Sequence, residues 1–344
     1  MADLKNITGA LLIDATAAFL NGAGLGTGED KNKVIPKTFR EKVKGKSEEV
    51  PYVSAQSWRR WLRNTTNEEN GWKPSELKSI KSNEKGSTSK IATELNPVDF
   101  PEDDLFGYMK SGDKNEESIQ RTSPFKSSIL KGIRNMRTMN NDEAFVHLKD
   151  GSPLPYSTRF YSTHLEGFFN LEYYRLGVYD NLGSHQELST SLVEKHKDKF
   201  DISEIPYGVK VFPRYTLKNA EVIRKKHASG LLKGLVFLRG GAKQAAFGSD
   251  VTPKVLVLAG MESANPVFNN LFVGTGEKPA LNIEALMQIA MDFKEKLATP
   301  IYIGIRSGYL ENEDKIKEEL NDGFVIGSPV AIVNQFNQTY LQNG

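Results

Sequence analysis

Residues 54–64 hold the most restrictive pattern in the chain. Ser54 is a good helix cap, and after it Ala55, Trp58, Trp61 and Leu62 recur at spacings of three and four, which predicts a helix. Burying a large apolar side chain is worth ~1.5–3 kcal/mol. A helix with two indoles and a leucine on one face must therefore lie on an extended apolar surface. Arg59, Arg60 and Arg63 are then expected together on the opposite, solvent-facing side. Without further context, that arginine face fits an ordinary solvated surface as well as a grip on successive phosphates.

The rest of the chain supplies such a surface. Residues 5–14 (KNITGALLID) form a short aliphatic run bounded by polar residues and read as a buried strand. Strands are expected again at 159–162 and 168–179, where Phe169, Leu171, Tyr173 and Val178 suit a pleated, half-buried surface. An amphipathic helix is expected over 219–238, although Gly230 and Gly234 weaken its pattern, and a strand at 253–258. Strand, helix, two strands, helix, strand is the split βαβ, ferredoxin-like plan, an α+β fold. Helices at 283–297 and 329–340 and a strand at 301–305 decorate it.

Residues 65–123 change character, being rich in Asn, Lys, Ser, Glu, Gly and Pro with almost no apolar period until 103–109 (DDLFGYM), and read as a long insertion. The expected organisation is one body from residues 1–64 and 124–344 carrying the inserted segment 65–123.

Several chemistries are excluded. With no cysteine there is no disulfide, thiolate metal site or cysteine nucleophile. His147, His164, His185, His196 and His227 lack ligand spacing, so each is read as a lone core or surface histidine and no metal is expected. The glycines at 22, 24, 26 and 28 fail the dinucleotide spacing, since the third glycine would fall on Thr27 or Glu29. Gly45-Lys46-Ser47 is not a phosphate-binding loop, because the glycine needed five residues earlier is Arg40. There is no Gly-x-Ser-x-Gly elbow, and the adjacent Asp103 and Asp104 are read as a solvated acidic loop rather than an acid pair. No cofactor is expected. No apolar run is long enough for a membrane span, and the first residues lack a secretory pattern, so a cytoplasmic protein is expected.

The net charge of +2 says little, but its distribution is uneven. Residues 34–63 carry eight basic against three acidic residues and 124–139 four against none, whereas 98–117 carry seven acidic against two. The chain reads as a binder rather than an enzyme.

Residues 50–63, with Ser54-x-Gln56-Ser57 followed by alternating apolar and basic residues, resemble the first-helix signature of the Cas-seven family of CRISPR-associated proteins. Gly241-Ala242-Lys243-Gln244 after the second long helix, and Leu20-Asn21 after the first strand, are similar to the same family in the same order, and residues 103–109 resemble its DevR-type, type I-B group. The resemblance implies a modified RNA-recognition-motif palm with thumb and fingers. It also implies a non-catalytic backbone subunit whose copies line up along a CRISPR RNA beside other Cascade subunits and present it to target DNA. Ser54, Gln56, Arg59, Arg60 and Arg63 carry over as backbone contacts, with Asn21, Lys243 and Gln244 as further RNA or neighbour contacts. The thumb hairpin is expected over residues 134–162, with Arg137 on the RNA and Met136, in preference to Met139, wedged beside a displaced base. Residues 65–123 would be the fingers. Two rivals stand beside this reading: a target-RNA endoribonuclease using Asp142, and a stand-alone RNA-binding regulator.

Overall fold

The structure is a computed structural model; it describes residues 2–27, 32–43, 45–81, 89–112, 117–133, 137–146, 151, 154–274 and 276–342. Its frame consists of β1 (Asn6–Ala18), α1 (Ala55–Asn70), β2 (Leu130–Gly132), β3 (Leu154–Leu171), α2 (Ala220–Val236) and β4 (Val255–Met261). β1 lies between β3 and β4 and is antiparallel to both, with Leu12 opposite Glu166 on one side and Val255 on the other. β2 pairs antiparallel with the far side of β3. The order β4-β1-β3-β2, with a helix in each crossover, is the ferredoxin-like plan. Ile301–Ile305 and Phe324–Gly327 extend the sheet beyond β4, and Lys46–Val53 and Thr38–Val43 extend it beyond β2.

The continuous aliphatic character of β1 follows from burial on both faces. Ile7, Leu11 and Ile13, with Leu256 and Leu258, pack under α1, α2 and the helix Pro329–Phe336. Ala10 and Leu12, with Val255, Val257 and Ala259, face the other way, into a second core with Phe268, Leu271, Leu286 and Ile316. The helix Ile283–Asp292 contributes Leu286 and Glu313–Glu319 contributes Ile316.

α1 and α2 pack directly against each other. A Cβ on Gly234 would sit 2.3 Å from Thr66 Oγ1, and one on Gly230 would sit 2.5 Å from Trp72. The two glycines that weaken α2 as a sequence pattern are the residues that let it touch α1 and the Trp72 that follows it. That contact also explains why α1 continues past residue 64 to Asn70: Thr65, Thr66 and Asn67 look polar but are buried. Gly71 then ends the helix at φ 61°.

The strand assignments within the frame differ from expectation. The strands expected at 159–162 and 168–179 are not the second and third of the frame. β3 runs unbroken through both as far as Leu171, and Val178–Leu182 is a separate strand. The true second strand, β2, spans three residues, too few to show a period. The outer half of β3 forms a long hairpin with Thr138–Val146, in register from Thr138 opposite Ser162 to Val146 opposite Leu154.

The segment 65–123 is not an independent appendage. Tyr108–Lys110 and Ile119–Arg121 join His185–Gln186, Val178–Leu182 and the hairpin of Phe200–Tyr207 with Lys210–Leu217 in a second, six-stranded sheet. Stretches far apart in sequence therefore build one layer. Among the described residues, no helix is long and apolar enough to cross a membrane.

Candidate nucleic-acid interface

The site grows from the amino end of α1. Ser54 caps the helix, its Oγ accepting from the Ser57 N–H at 3.4 Å. Its own N–H donates to Asn21 Oδ1 at 3.0 Å, so the residue just beyond β1 sets where the helix begins. The first turn carries no acidic side chain, which leaves the positive end of the helix dipole uncompensated. Gln56 and Arg60 are exposed.

The loop after α2 closes on the same corner. Gly240, at φ +158°, lies flat on Trp61: a Cβ there would be 2.2 Å from the indole. The Ala242 N–H donates to the Leu20 carbonyl at 2.9 Å. Lys243 takes a left-handed φ of 51° and donates from Nζ to Thr158 Oγ1 at 2.7 Å, with its ammonium 5.4 Å from the Phe19 ring centroid. Gln244 donates to the Gly240 carbonyl. Phe247 packs against Phe19 and against Phe160, tying the loop to the root of the β3 hairpin. Leu20-Asn21, Ser54 and the loop from Gly240 to Gln244 are remote in sequence, and the fold brings them into contact. Backbone N–H groups at a helix start, with lysine and arginine beside them, form a surface suited to phosphate.

The expected solvent-facing row of three arginines is corrected by the structure. Only Arg60 is exposed. Arg59 donates to the Phe106 carbonyl at 3.2 Å, and burial, aided by neighbouring Arg63, lowers its pKa. Arg63 is 13% exposed and pairs with Glu102 at 2.9 Å and Asp103 at 3.0 Å. Positions 59 and 63 are one turn apart and meet the short helix Pro101–Phe106, whereas position 60 points about 100° away.

That short helix also overturns the reading of Asp103 and Asp104 as a solvated loop, since both are fully buried. Asp103 accepts from Ser75 Oγ at 2.9 Å and Asn96 N–H at 3.1 Å; burial still raises its pKa. Asp104 accepts from buried Arg121 at 2.6 Å, lies 2.8 Å from His227 Nδ1 and accepts from the Gly177 N–H. Burial acts to raise its pKa, but Arg121, His227 and Gly177 together hold it below the ordinary value. Arg121 extends the network to Glu187 at 2.9 Å. His227, read as a lone histidine, belongs to this network. Its partners lie too far apart in sequence for any spacing to reveal it.

Arg137 has a side chain only 5% exposed and reaches Glu48 at 3.2 Å and Glu41 at 3.6 Å; its Nε and Nη1 are buried without hydrogen-bond partners among the described residues. Met136 lies outside the described residues, and Met139 packs on the main core. Asp142 is exposed on the hairpin, opposite Thr158. Among the described residues, no group of His, Cys, Asp and Glu is placed to hold a metal.

These elements define an RNA-recognition-like palm elaborated by a hairpin and a second sheet. Residues 16–278 match the model of the family described as CRISPR-associated negative auto-regulator DevR/Csa2, more than half of the chain, and the protein belongs to that family. Its fold is also that of chains in solved structures. One, titled CRISPR RNA-guided surveillance complex, has 13% identity and TM-score 0.54 and covers 97% of this chain and 98% of that one. Another, titled CRISPR RNA-guided surveillance complex, pre-nicking, has 12% identity and TM-score 0.55 and covers 97% and 99%. No curated protein matches the chain in sequence.

Proposed function

We propose that this chain is the repeating backbone subunit of a type I-B-like CRISPR effector complex acting in the cytoplasm. Copies align along one guide RNA, hold it through phosphate and ribose, and present its bases to target DNA beside other subunits of the complex. The subunit itself is non-catalytic. Family membership supports a CRISPR complex, and the observation that carries the RNA grip is the meeting of Asn21, the Ser54-capped end of α1 and the Gly240-to-Gln244 loop. A guide scaffold must tolerate any sequence, and backbone contacts supply that tolerance. Ser54, Gln56, Arg60 and Lys243 are the residues of this corner assigned to the RNA, with Asn21 and Gln244 shaping it. Arg59 and Arg63 support the helix from behind. The hairpin of Thr138–Val146 with β3 serves as the thumb.

The variant Arg60→Ala with Lys243→Ala tests this. RNA affinity should fall, and the slope of log K against log salt should flatten by about one unit per lost contact, for any RNA sequence. An unchanged slope would count against the assignment.

A further inference from the structure

Exposed apolar side chains are unevenly spread over this molecule. Of the fourteen large hydrophobic residues open to solvent among the described residues, six fall in two places. Ile202, Tyr207, Val209 and Val211 lie on the hairpin of Phe200–Tyr207 with Lys210–Leu217, and Met287 and Met291 on the helix Ile283–Asp292. Single exposed apolar residues are ordinary, whereas clusters mark surfaces that something covers.

The first cluster is convex. The strands stay in register up to Tyr207 opposite Lys210, which leaves Gly208 and Val209 as a two-residue turn. Gly208, at φ 61°, suits that turn, but a solvated tip favours a small polar residue beside it. Val209 is instead apolar and fully exposed, with Tyr207 66% and Val211 57% exposed behind it. The Tyr207 ring meets Phe212 edge-on, 6.3 Å between centroids, which braces the tip. The second cluster is concave. Met287, Met291, Leu297, Pro300 and Phe324 line a groove of about 490 Å³ between the helix Ile283–Asp292 and the edge strand Phe324–Gly327. Methionine side chains are flexible and mould to a partner's shape. Both patches are open within one chain, so the tip does not fill its own groove.

The charges beside the two patches are complementary. The hairpin carries exposed Glu204 and Lys210, and the groove is lined by Lys294 and Asp322. None of the four has an ion-pair partner among the described residues. An open array also needs two different patches on each copy, because a self-complementary patch stops at a pair.

We propose that the Val209 tip of one copy seats in the Met287 and Met291 groove of the next, with Lys210 toward Asp322 and Glu204 toward Lys294. The inference rests on the scaffold reading above and assigns a contact between copies to elements other than the α1 corner and the Thr138–Val146 hairpin.

The chain has no cysteine, so thiols introduced by substitution report this contact alone. Val209→Cys is mixed with Met287→Cys or Met291→Cys on an RNA long enough for several copies, and the mixture is oxidised gently. Disulfide-linked dimers of the two variants are expected, well above those formed when Val222→Cys, exposed elsewhere, replaces Val209→Cys. In a second measurement, Val209→Asp should weaken filling of the long RNA about tenfold, the scale of one valine side chain left unburied. Its affinity for an RNA that holds one copy should be unchanged. Disulfide yields at the control level for both methionine positions, on an RNA that the parent chain fills, overturn the contact and leave the scaffold reading standing. Val209→Asp filling the long RNA as the parent does has the same meaning. One parent copy per RNA at every length overturns both.

Discussion

Arg63 illustrates how one side chain divides its allegiance. By spacing it belongs with Arg59 and Arg60, yet its guanidinium bridges Glu102 and Asp103, both nearly or wholly out of solvent. Removing one partner of a buried pair strands the other's charge, which typically costs ~3–5 kcal/mol. Arg63→Ala should therefore lower the urea midpoint strongly, while Arg60→Ala leaves it within ~0.5 kcal/mol, as for other surface changes. Equal midpoints for the two variants would contradict the division. Asn21 and Gln244 are a similar lesson: each uses its amide on the chain's own backbone, at Ser54 N–H and the Gly240 carbonyl. Their contribution to binding would come through the placement of α1 and the loop.

At the scale of elements, the clearest dependency is the crossing of α1 and α2. Gly234 lets the helices approach so closely that a side chain has no room, with Thr66 Cα only 2.8 Å from where a Cβ would be. Gly234→Val should destabilise by ~1–3 kcal/mol or more through overpacking, read from the urea midpoint. It should also weaken RNA binding, because the displaced helix carries Ser54 and Arg60. A variant with unaltered stability would show that the crossing is looser than described. The outer half of β3 is the other informative element. It is one strand of both the palm and the hairpin, so the hairpin's root is fixed by the sheet and touches Lys243 through Thr158.

For the whole molecule, the frame was legible in the sequence because its signals are local: the aliphatic run of β1, the capped α1, the long α2 and the buried β4. β2 was not, since three residues carry no period, and neither was the second sheet, whose strands come from both sides of β3. The corner of Asn21, Ser54 and Lys243 was legible only as separate motifs, and composition could not show that Glu102, Asp103 and Asp104 sit inside. Buried titratable groups also give the molecule a pH response. Burial lowers the pKa of His164 below 6.5, against the opposing effect of Asp14, so the folded state binds fewer protons than the unfolded one. This contribution is fully present above pH 6.5 and is lost as pH falls through the lowered folded pKa. Thermal melts of His164→Gln should therefore lose less Tm than the parent chain on acidification from neutral pH to pH ~5. Parallel losses in both would assign the response elsewhere, for example to His196, which burial shifts the same way.

Copies of this chain are proposed to assemble along an RNA without reading its sequence. Native mass spectrometry of the purified chain, mixed with single-stranded RNAs of increasing length and two unrelated sequences, measures this directly. The number of protomers per RNA should rise in regular steps with length and be the same for both sequences. A single protomer at every length, or stoichiometry that follows sequence rather than length, would contradict it.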